Sequence, residues 1–437
     1  MGILKVKYIS VIFFLLMIVF VNLNAAIIQE DVNDNNRSKF WMALPYAVST
    51  ESTGLVGGVV GLWSGYGQKQ MNIIATGYYG MSEEVEGVRN KDKEANAFGV
   101  AIGVNNYKPS FSNRMFISLL GSHAYYPNQA LYIDGRNSSS ADDVLRSQGY
   151  NNWYNMSFKY SLPLGEYKDK ATLKYALDRG LPIGREKYGG GMPFVTGTTQ
   201  VAVTPFYNKW TADKLTDEPA WTAVGIKIKL EHDNTDYVSS PSRGYSFEVQ
   251  YAQDFGDGGS IQSWKAVEAS YTQFIEIPHL SWMRNNVIAL NVWSAYSPSW
   301  QTDKFYEGTS TINANRPPPW EGARLGGNER MRGYSANRFS DKSAIYYGAE
   351  YRFIPDFNPL NKKDNGWMPV GIDWFQGVLF VEAGRVAPKY TLGELHTDMK
   401  YDVGLSIRAL AAKLPVRFEF AVGDEGPNMA LMIKQTF

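Results

Sequence analysis

The chain has 437 residues, with 43 basic and 43 acidic side chains and no cysteine. Balanced charge excludes the basic excess that a nucleic-acid partner requires, and the lack of cysteine excludes a disulfide framework and thiol chemistry. Aromatic residues make up 14% of the chain, which favours an all-β protein whose strands have one apolar and one polar face. A soluble β-sandwich shares this composition, but it would be long for a single domain.

The amino terminus is typical of a secretory signal. Two lysines precede an apolar stretch from Ile9 to Val21, and Asn24-Ala25-Ala26 provides small residues for cleavage. The stretch is shorter than the roughly 20 residues of a membrane-spanning helix, and an uncleaved anchor is the alternative. We predict a signal peptide at 1–25, a periplasmic lead at 26–52 and a β-barrel domain at 53–437.

Alternation of apolar and polar residues predicts strands throughout this domain. Four segments of the carboxy-terminal half have one fully apolar face and one charged face: 224–231, 245–251, 401–408 and 416–422. In a barrel with a wet lumen, the charges face water while the apolar face meets lipid. We predict sixteen strands long enough for a tilted membrane crossing, near 53–63, 70–80, 95–106, 112–125, 152–162, 169–177, 197–209, 220–232, 243–253, 263–276, 285–297, 344–354, 374–386, 400–410, 414–423 and 428–437.

The longest connection, residues 298–343, separates the eleventh and twelfth predicted strands and exceeds a usual hairpin loop. It contains Leu325-Gly326-Gly327 and then Met331-Arg332-Gly333-Tyr334. The two strands that follow contain Glu350-Tyr351-Arg352 and Phe380-Val381-Glu382-Ala383-Gly384. In the second of these strands the aliphatic row belongs in lipid, so the alternation predicts that Glu382 points into the lumen.

These motifs, in this order, resemble the bacterial surface antigen superfamily of outer-membrane assembly and translocation barrels. Its members include the central subunit of the barrel assembly machinery, BamA, together with TamA-like proteins and two-partner secretion transporters. The resemblance covers nearly all of the mature chain and is strongest from residue 220 onward. Family members carry periplasmic POTRA modules, for which the predicted lead is too short. The chain therefore resembles a reduced branch of the family that lacks POTRA modules.

The resemblance implies a latch inside the barrel. In the family, the long loop folds into the lumen, and the arginine of a Val/Ile-Arg-Gly-Phe/Tyr motif meets acidic groups on the following strands. Here Met331 replaces the β-branched residue, and Glu382 replaces an aspartate. The predicted latch residues are Arg332, Gly333, Tyr334, Glu350, Phe380, Glu382 and Gly384. The alternative is that Arg332 lies on a solvated loop tip and that Glu382 merely lines a pore.

We predict that the barrel closes between the strands at 53–63 and 428–437. The last strand ends on an aromatic residue, which is typical of the interfacial girdle of outer-membrane barrels. The first strand is rich in glycine, which weakens strand pairing. In the family this seam is the proposed lateral gate, and an alternative is that the glycines make room for the inward loop. The predicted seam residues are Gly54, Gly57, Gly58, Gly61 and Phe437.

The resemblance implies a role in the export, insertion or assembly of envelope components, in the cell outer membrane of a Gram-negative bacterium. The expected partners are outer-membrane lipid (lipopolysaccharide and phospholipid), the barrel assembly machinery during biogenesis and a separately encoded periplasmic partner. A passive porin-like channel or a structural surface antigen is the alternative function. We predict no enzymatic activity, cofactor or metal site, because the four histidines lack metal-ligand spacing and no nucleophile or phosphate-binding motif occurs.

Overall fold

Sixteen antiparallel strands form one continuous sheet, in which each strand pairs with the next strand of the sheet along the chain. They are β1 (Phe40–Thr50), β2 (Gly54–Ser64), β3 (Asn72–Met81), β4 (Phe98–Tyr107), β5 (Met115–Tyr132), β6 (Val144–Ser161), β7 (Thr198–Thr211), β8 (Ala220–Asp233), β9 (Gly244–Asp254), β10 (Trp264–Glu276), β11 (Met283–Tyr296), β12 (Ser343–Pro355), β13 (Ile372–Ala387), β14 (Lys400–Ala411), β15 (Leu414–Gly423) and β16 (Gly426–Ile433). The computed structural model describes residues 27–31, 39–50, 52–81, 96–213, 220–260, 262–278, 280–304, 311–360, 372–411 and 414–437. The predicted signal peptide lies outside these residues.

The two faces of the sheet differ in the way that the alternation predicts. On β13, Leu379 and Val381 are exposed on the outer face, whereas Phe380 and Glu382 are buried on the inner face. Exposed apolar rows continue along the neighbouring strands, as expected for a wall that meets lipid. The predicted fold class, a 16-stranded antiparallel transmembrane β-barrel with a long loop between strands eleven and twelve, is confirmed. The short helix α1 is Leu392–His396. In the described ranges, no helix is long and apolar enough to cross a membrane.

The predicted number of barrel strands is right because two errors cancel: one barrel strand was missed, and one strand outside the barrel was counted. The first strand, β1, lies within the predicted lead 26–52, so the predicted domain boundary at residue 53 is wrong. This strand was missed because it is apolar on both faces, with Trp41 and Ala43 outward and Met42 and Leu44 inward. A strand of this kind has no alternation that a sequence pattern can detect.

The predicted strand at 169–177 is a real strand but not part of the barrel. Leu173–Asp178 pairs in parallel with Ile27–Asp31, and with the short strand Leu181–Pro182 on its other side. Its apolar row packs against Ile27 and Tyr237. Alternation predicts a half-buried strand correctly here, but it does not reveal which sheet the strand joins.

This small sheet belongs to a connection that covers one end of the barrel. We call the end where β1 begins and β16 ends the terminal end, and the opposite end the loop end. The connection from β6 to β7, residues 162–197, is named the cover segment. Its Leu181 packs against Ile354, Trp374 and Leu410 on β12, β13 and β14, and the Trp374 indole donates to the Gly180 carbonyl at 3.2 Å. Since β6 and β13 are seven strands apart in the sheet, the cover segment spans the terminal opening.

The two edge strands of the sheet are β1 and β16, and in the described residues no hydrogen-bonded pairing joins them. The four predicted seam glycines lie on β2, which pairs with β1 on one side and β3 on the other. Their assignment to the seam is therefore wrong. Gly58 instead makes room for the Tyr46 ring of β1, because a Cβ atom there would lie 2.5 Å from that ring.

The end of the chain does not continue the last strand. β16 ends at Ile433, and Lys434–Phe437, named the inward segment, turns into the lumen. Phe437 packs against Phe274, Val287 and Ala289 on β10 and β11. The prediction that Phe437 ends the closing strand in an outer aromatic girdle is thus wrong. The reason is that this segment finds buried partners among the luminal arginines.

Candidate functional site

The connection from β11 to β12, described over residues 297–304 and 311–342, enters the lumen from the loop end. Two short strands within it, Arg324–Leu325 and Phe339–Ser340, pair with each other and shape its inner part. Apolar loop residues pack against the inner faces of β11, β12 and β13 in one buried cluster: Trp293, Ala295, Ala323, Leu325, Met331, Tyr334, Phe339, Ala344, Tyr346 and Val386. This cluster fixes the loop against the barrel wall independently of any charge.

Arg332 projects from the loop into a ring of carboxylates. Its Nη1 atom lies 2.8 Å from Glu350 on β12 and 2.8 Å from Glu419 on β15. Its Nε atom lies 3.1 Å from Glu382 on β13, and its backbone N–H donates to the other oxygen of Glu382 at 2.6 Å. The guanidinium also lies over the Phe380 ring, 3.4 Å from the centroid. The arginine and its three carboxylates are almost completely buried.

The residues next to Arg332 fit the loop to the wall. The Gly333 N–H donates to Asp402 at 3.0 Å, and a Cβ atom at Gly333 would lie 2.6 Å from the Asp402 Cβ. The Tyr334 hydroxyl donates to the Tyr401 carbonyl at 3.0 Å. On β13, Gly384 leaves room for Leu325 and Met331 of the loop. The structure therefore brings all seven predicted latch residues together, whereas their action as a latch stays a prediction.

Four further residues extend the site along β12, β14 and β15. Arg352 and Arg408 bind Glu350 at 2.7 and 2.8 Å, and Arg417 binds Glu419 at 2.6 Å. Together with Arg332 and the other acids around it, these residues form what we name the ion cluster: Arg332, Glu350, Arg352, Glu382, Asp402, Arg408, Arg417 and Glu419. All four arginines and three of the four acids take part in ion pairs, as buried ions require, whereas Asp402 accepts a hydrogen bond from the Gly333 N–H.

The inward segment meets the ion cluster from the terminal end. The Thr436 hydroxyl accepts hydrogen bonds from Arg332, Arg408 and Arg417 at 3.2, 3.0 and 2.8 Å. The backbone carbonyl of Phe437 accepts from Arg352 at 3.2 Å. The loop and the end of β16 are therefore connected through the same arginines.

Two pKa shifts in the luminal elements agree with this geometry. Burial lowers the pKa of Arg332, but Glu382, Glu350 and Glu419 outweigh burial and hold the pKa well above its ordinary value. Lys434 of the inward segment, with help from Arg330, holds the pKa of Glu329 well below its ordinary range. Arg332 and Glu329 therefore remain charged at neutral pH, and electrostatic attraction binds the loop to the wall and to the inward segment.

Sequence reasoning missed the members of the ion cluster on β14 and β15. Arg408, Arg417 and Glu419 lie on the polar faces of strands that the alternation predicted correctly. The inward orientation of these charges was thus available from the sequence, but their meeting with Arg332 was not. Nothing in the sequence was a reason to assign Thr436 to the site, because threonine is common on the polar face of a strand.

A polar cavity of about 410 Å³ lies in the lumen beside the loop. It lies between the loop, the inward segment and the inner faces of β8–β11, and its lining includes Lys229, Glu231 and Glu268. In the part of the chain that the structure describes, no group of three acidic or histidine side chains is placed to hold a metal ion. The site is therefore an arrangement of ion pairs around a plugged lumen.

Fold and site together define a transmembrane β-barrel whose lumen is occupied by its own loop. The family model described as the Omp85 superfamily domain matches residues 146–429. This match covers well over half of the chain, and the chain belongs to the Omp85 superfamily. The family predicted from the loop and strand motifs is thereby confirmed. No curated protein has significant sequence similarity to the chain.

Two solved structures resemble the chain at low identity. BamA from Haemophilus ducreyi, in a form lacking POTRA domains 1-3, is 12% identical with a TM-score of 0.46, over 91% of this chain and 70% of that one. CdiB from Escherichia coli is 10% identical with a TM-score of 0.50, over 90% of this chain and 61% of that one. The chain thus spans less than two thirds of the length of CdiB, and the likeness concerns the fold alone.

Proposed function

We propose that this protein is a gated outer-membrane barrel that acts in the export, insertion or assembly of envelope components. One observation carries the proposal: the loop that fills the lumen is fixed by Arg332 to glutamates on three different strands. A buried guanidinium is favourable only while its carboxylate partners are in place, and outside this site it needs water instead. That property suits a gate better than a permanently open pore.

The energetics support a barrel that is closed at rest. Removing one partner of a buried ion pair costs about 3–5 kcal/mol, because the other charge then stays buried and unpaired. The loop therefore leaves its site as a unit, in a minor population in which all the released charges regain water. A client or partner that binds the released state then shifts this population.

In the proposed orientation, the loop end faces the cell surface and the terminal end faces the periplasm. The cover segment is then the part that a client meets first, because it spans the terminal opening. A separately encoded periplasmic partner that displaces the cover segment would open this route. The barrel assembly machinery and outer-membrane lipid are the expected partners during biogenesis.

A passive channel for small solutes is the second candidate function. The polar cavity beside the loop favours it, since its charged lining includes Lys229 and Glu231. The two functions differ in what the loop does: a gated barrel conducts weakly until the latch is released, whereas a passive channel conducts steadily around a fixed loop.

Single-channel conductance in planar bilayers tests the proposal. We expect low, flickering conductance for the native protein and a clear rise for Arg332→Ala and for Glu382→Ala. Lys69→Ala is the control, because Lys69 is an exposed cation in the β2–β3 turn and pairs with Glu30 rather than with the loop or the ion cluster. Heat-modified migration on gels verifies that each variant folds as a barrel. Large, steady conductance that neither latch variant changes would exclude the gate and favour the passive channel.

A further inference from the structure

An uncharged apolar turn stands out on the outer surface at the terminal end. Residues 189–195 read Gly-Gly-Gly-Met-Pro-Phe-Val and form the last part of the cover segment before β7 begins. Met192 is 73% exposed and Val195 is 56% exposed. Exposed apolar side chains that adjoin one another mark surfaces that bind an apolar partner. We name this stretch the apolar turn.

The apolar turn lies on the outside of the barrel rather than beneath its lumen. The Phe194 ring centroid lies 5.4 Å from that of His232 on β8 and 6.0 Å from that of Phe247 on β9. These two residues face each other across the strand pair, in the same outward rows as Leu230 and Val249. His232 is fully buried although it belongs to an outward row, because the turn covers it.

Hydrogen bonds hold the turn in this position. The Gly190 N–H donates to the Asn234 carbonyl at 3.0 Å, and the Tyr245 hydroxyl donates to the Gly191 carbonyl at 3.1 Å. The Thr196 hydroxyl lies 3.0 Å from the Gly190 carbonyl, to which it donates. Phe194 adopts a φ of +63°, a left-handed conformation that is unfavourable for a bulky residue. This backbone places the Phe194 ring against the wall, with 45% of the residue still exposed, and leaves Met192 and Val195 mostly exposed.

The turn is continuous with the surface that meets lipid. Tyr245 stacks on Tyr271 of β10, with ring centroids 6.1 Å apart, and Val249 and Ile275 are exposed on the same outer face. The apolar turn therefore adds a row of apolar side chains at the terminal end of this wall. The strands concerned, β8 and β9, lie in the middle of the sheet order, opposite the edges β1 and β16.

We propose that the apolar turn inserts Met192 and Val195 among the phospholipid acyl chains of the leaflet at the terminal end. Insertion extends the apolar height of the barrel on the β8–β9 side. A local increase in apolar height is matched by tilt of the barrel or by distortion of the bilayer around it. The turn thus anchors the β8–β9 wall in the bilayer.

Site-directed spin labelling tests this proposal cleanly, because the chain contains no native cysteine. Single variants Met192→Cys and Val195→Cys are labelled with a nitroxide in vesicles of phosphatidylethanolamine and phosphatidylglycerol. Collision rates are measured with oxygen, which concentrates among acyl chains, and with a water-soluble nickel chelate. Val249→Cys on the lipid-facing wall is the reference for lipid, and Lys187→Cys, exposed in the same segment, is the reference for water.

We expect both turn labels to match Val249→Cys, with an oxygen-to-nickel ratio several-fold above that of Lys187→Cys. A ratio equal to that of Lys187→Cys would overturn the proposal and assign the turn to water or to a protein partner absent from the vesicles. Low collision rates with both reagents would also overturn it, because they would place the turn against protein. Using two label positions guards against a local disturbance by one substitution.

Discussion

At the scale of single residues, Arg332 binds three carboxylates rather than the single partner of a simple ion pair. Two of its carboxylates, Glu350 and Glu382, follow from the loop and strand motifs, whereas Glu419 does not. Glu419 also binds Arg417, so its loss would leave Arg417 without its carboxylate partner and Arg332 with two carboxylates instead of three. The strength of the site therefore depends on a residue outside the predicted set.

Replacing Glu419 by glutamine tests this dependence. Glu419→Gln keeps the shape of the side chain but removes its charge, and breaking a buried ion pair in this way costs about 3–5 kcal/mol. We expect a lower urea midpoint for unfolding in lipid vesicles. Asp134→Asn is the matched control, since it makes the same chemical change in the exposed pair with Arg136, where about 0–1 kcal/mol is expected. Equal midpoints for the two variants would contradict the role of Glu419.

At the scale of elements, the end of β16 differs most from expectation. A closing strand that continued to Phe437 would place its final aromatic ring in the lipid interface. Instead, the chain leaves the sheet after Ile433, and Thr436 reaches the ion cluster. The hydrogen-bonding capacity of three buried arginines outweighs the few backbone pairs that a longer strand would add.

We expect the Thr436 hydroxyl to hold the inward segment in the lumen, because it accepts hydrogen bonds from buried arginines. Thr436→Val keeps the size of the side chain but removes the acceptor, and an unsatisfied buried polar group costs about 1–3 kcal/mol. We therefore expect a lower urea midpoint for Thr436→Val. Thr436→Ser retains the hydroxyl and is expected to unfold close to the native midpoint. If valine and serine gave the same midpoint, the inward segment would not be bound as described.

At the scale of the whole molecule, the barrel is closed by elements that reach across it from both ends. The loop enters from the loop end, and the cover segment crosses the terminal end to reach β12, β13 and β14. Neither element is a wall strand, and each joins parts of the wall that are far apart. Access to the lumen therefore depends on these two elements rather than on the barrel diameter.

Leu181 is the apolar anchor of the cover segment on the opposite wall. Removing a buried leucine side chain as Leu181→Ala costs about 2–5 kcal/mol, so we expect the cover segment to detach more often. Trypsin cleavage after the exposed Lys187, followed by mass spectrometry, measures this detachment. Ile183→Ala is the matched control, because Ile183 lies two residues further on and is 53% exposed. Equal cleavage rates in the two variants would show that Leu181 does not hold the cover.

The alternation of apolar and polar residues predicted most of the barrel strands. The loop and strand motifs predicted Arg332 and two of the three glutamates that bind it. Strands such as β13 and β14 were predicted because water on one side and lipid on the other impose opposite polarity on alternate residues. The motifs around Arg332 and Glu382 were recognised through their resemblance to the family, and alternation independently predicted that Glu382 points into the lumen.

Only the tertiary structure decided where the edges of the sheet lie, where the chain end goes and what completes the site. β1 is apolar on both faces, so nothing in its pattern separates it from a connecting segment. The contacts of Arg332 with Glu419 and Thr436 join residues 87 and 104 positions apart. Such contacts depend on the curvature of the whole sheet, which sets the residues that meet across the lumen. The sequence determines the inward direction of each side chain, whereas the curvature of the sheet determines its partner.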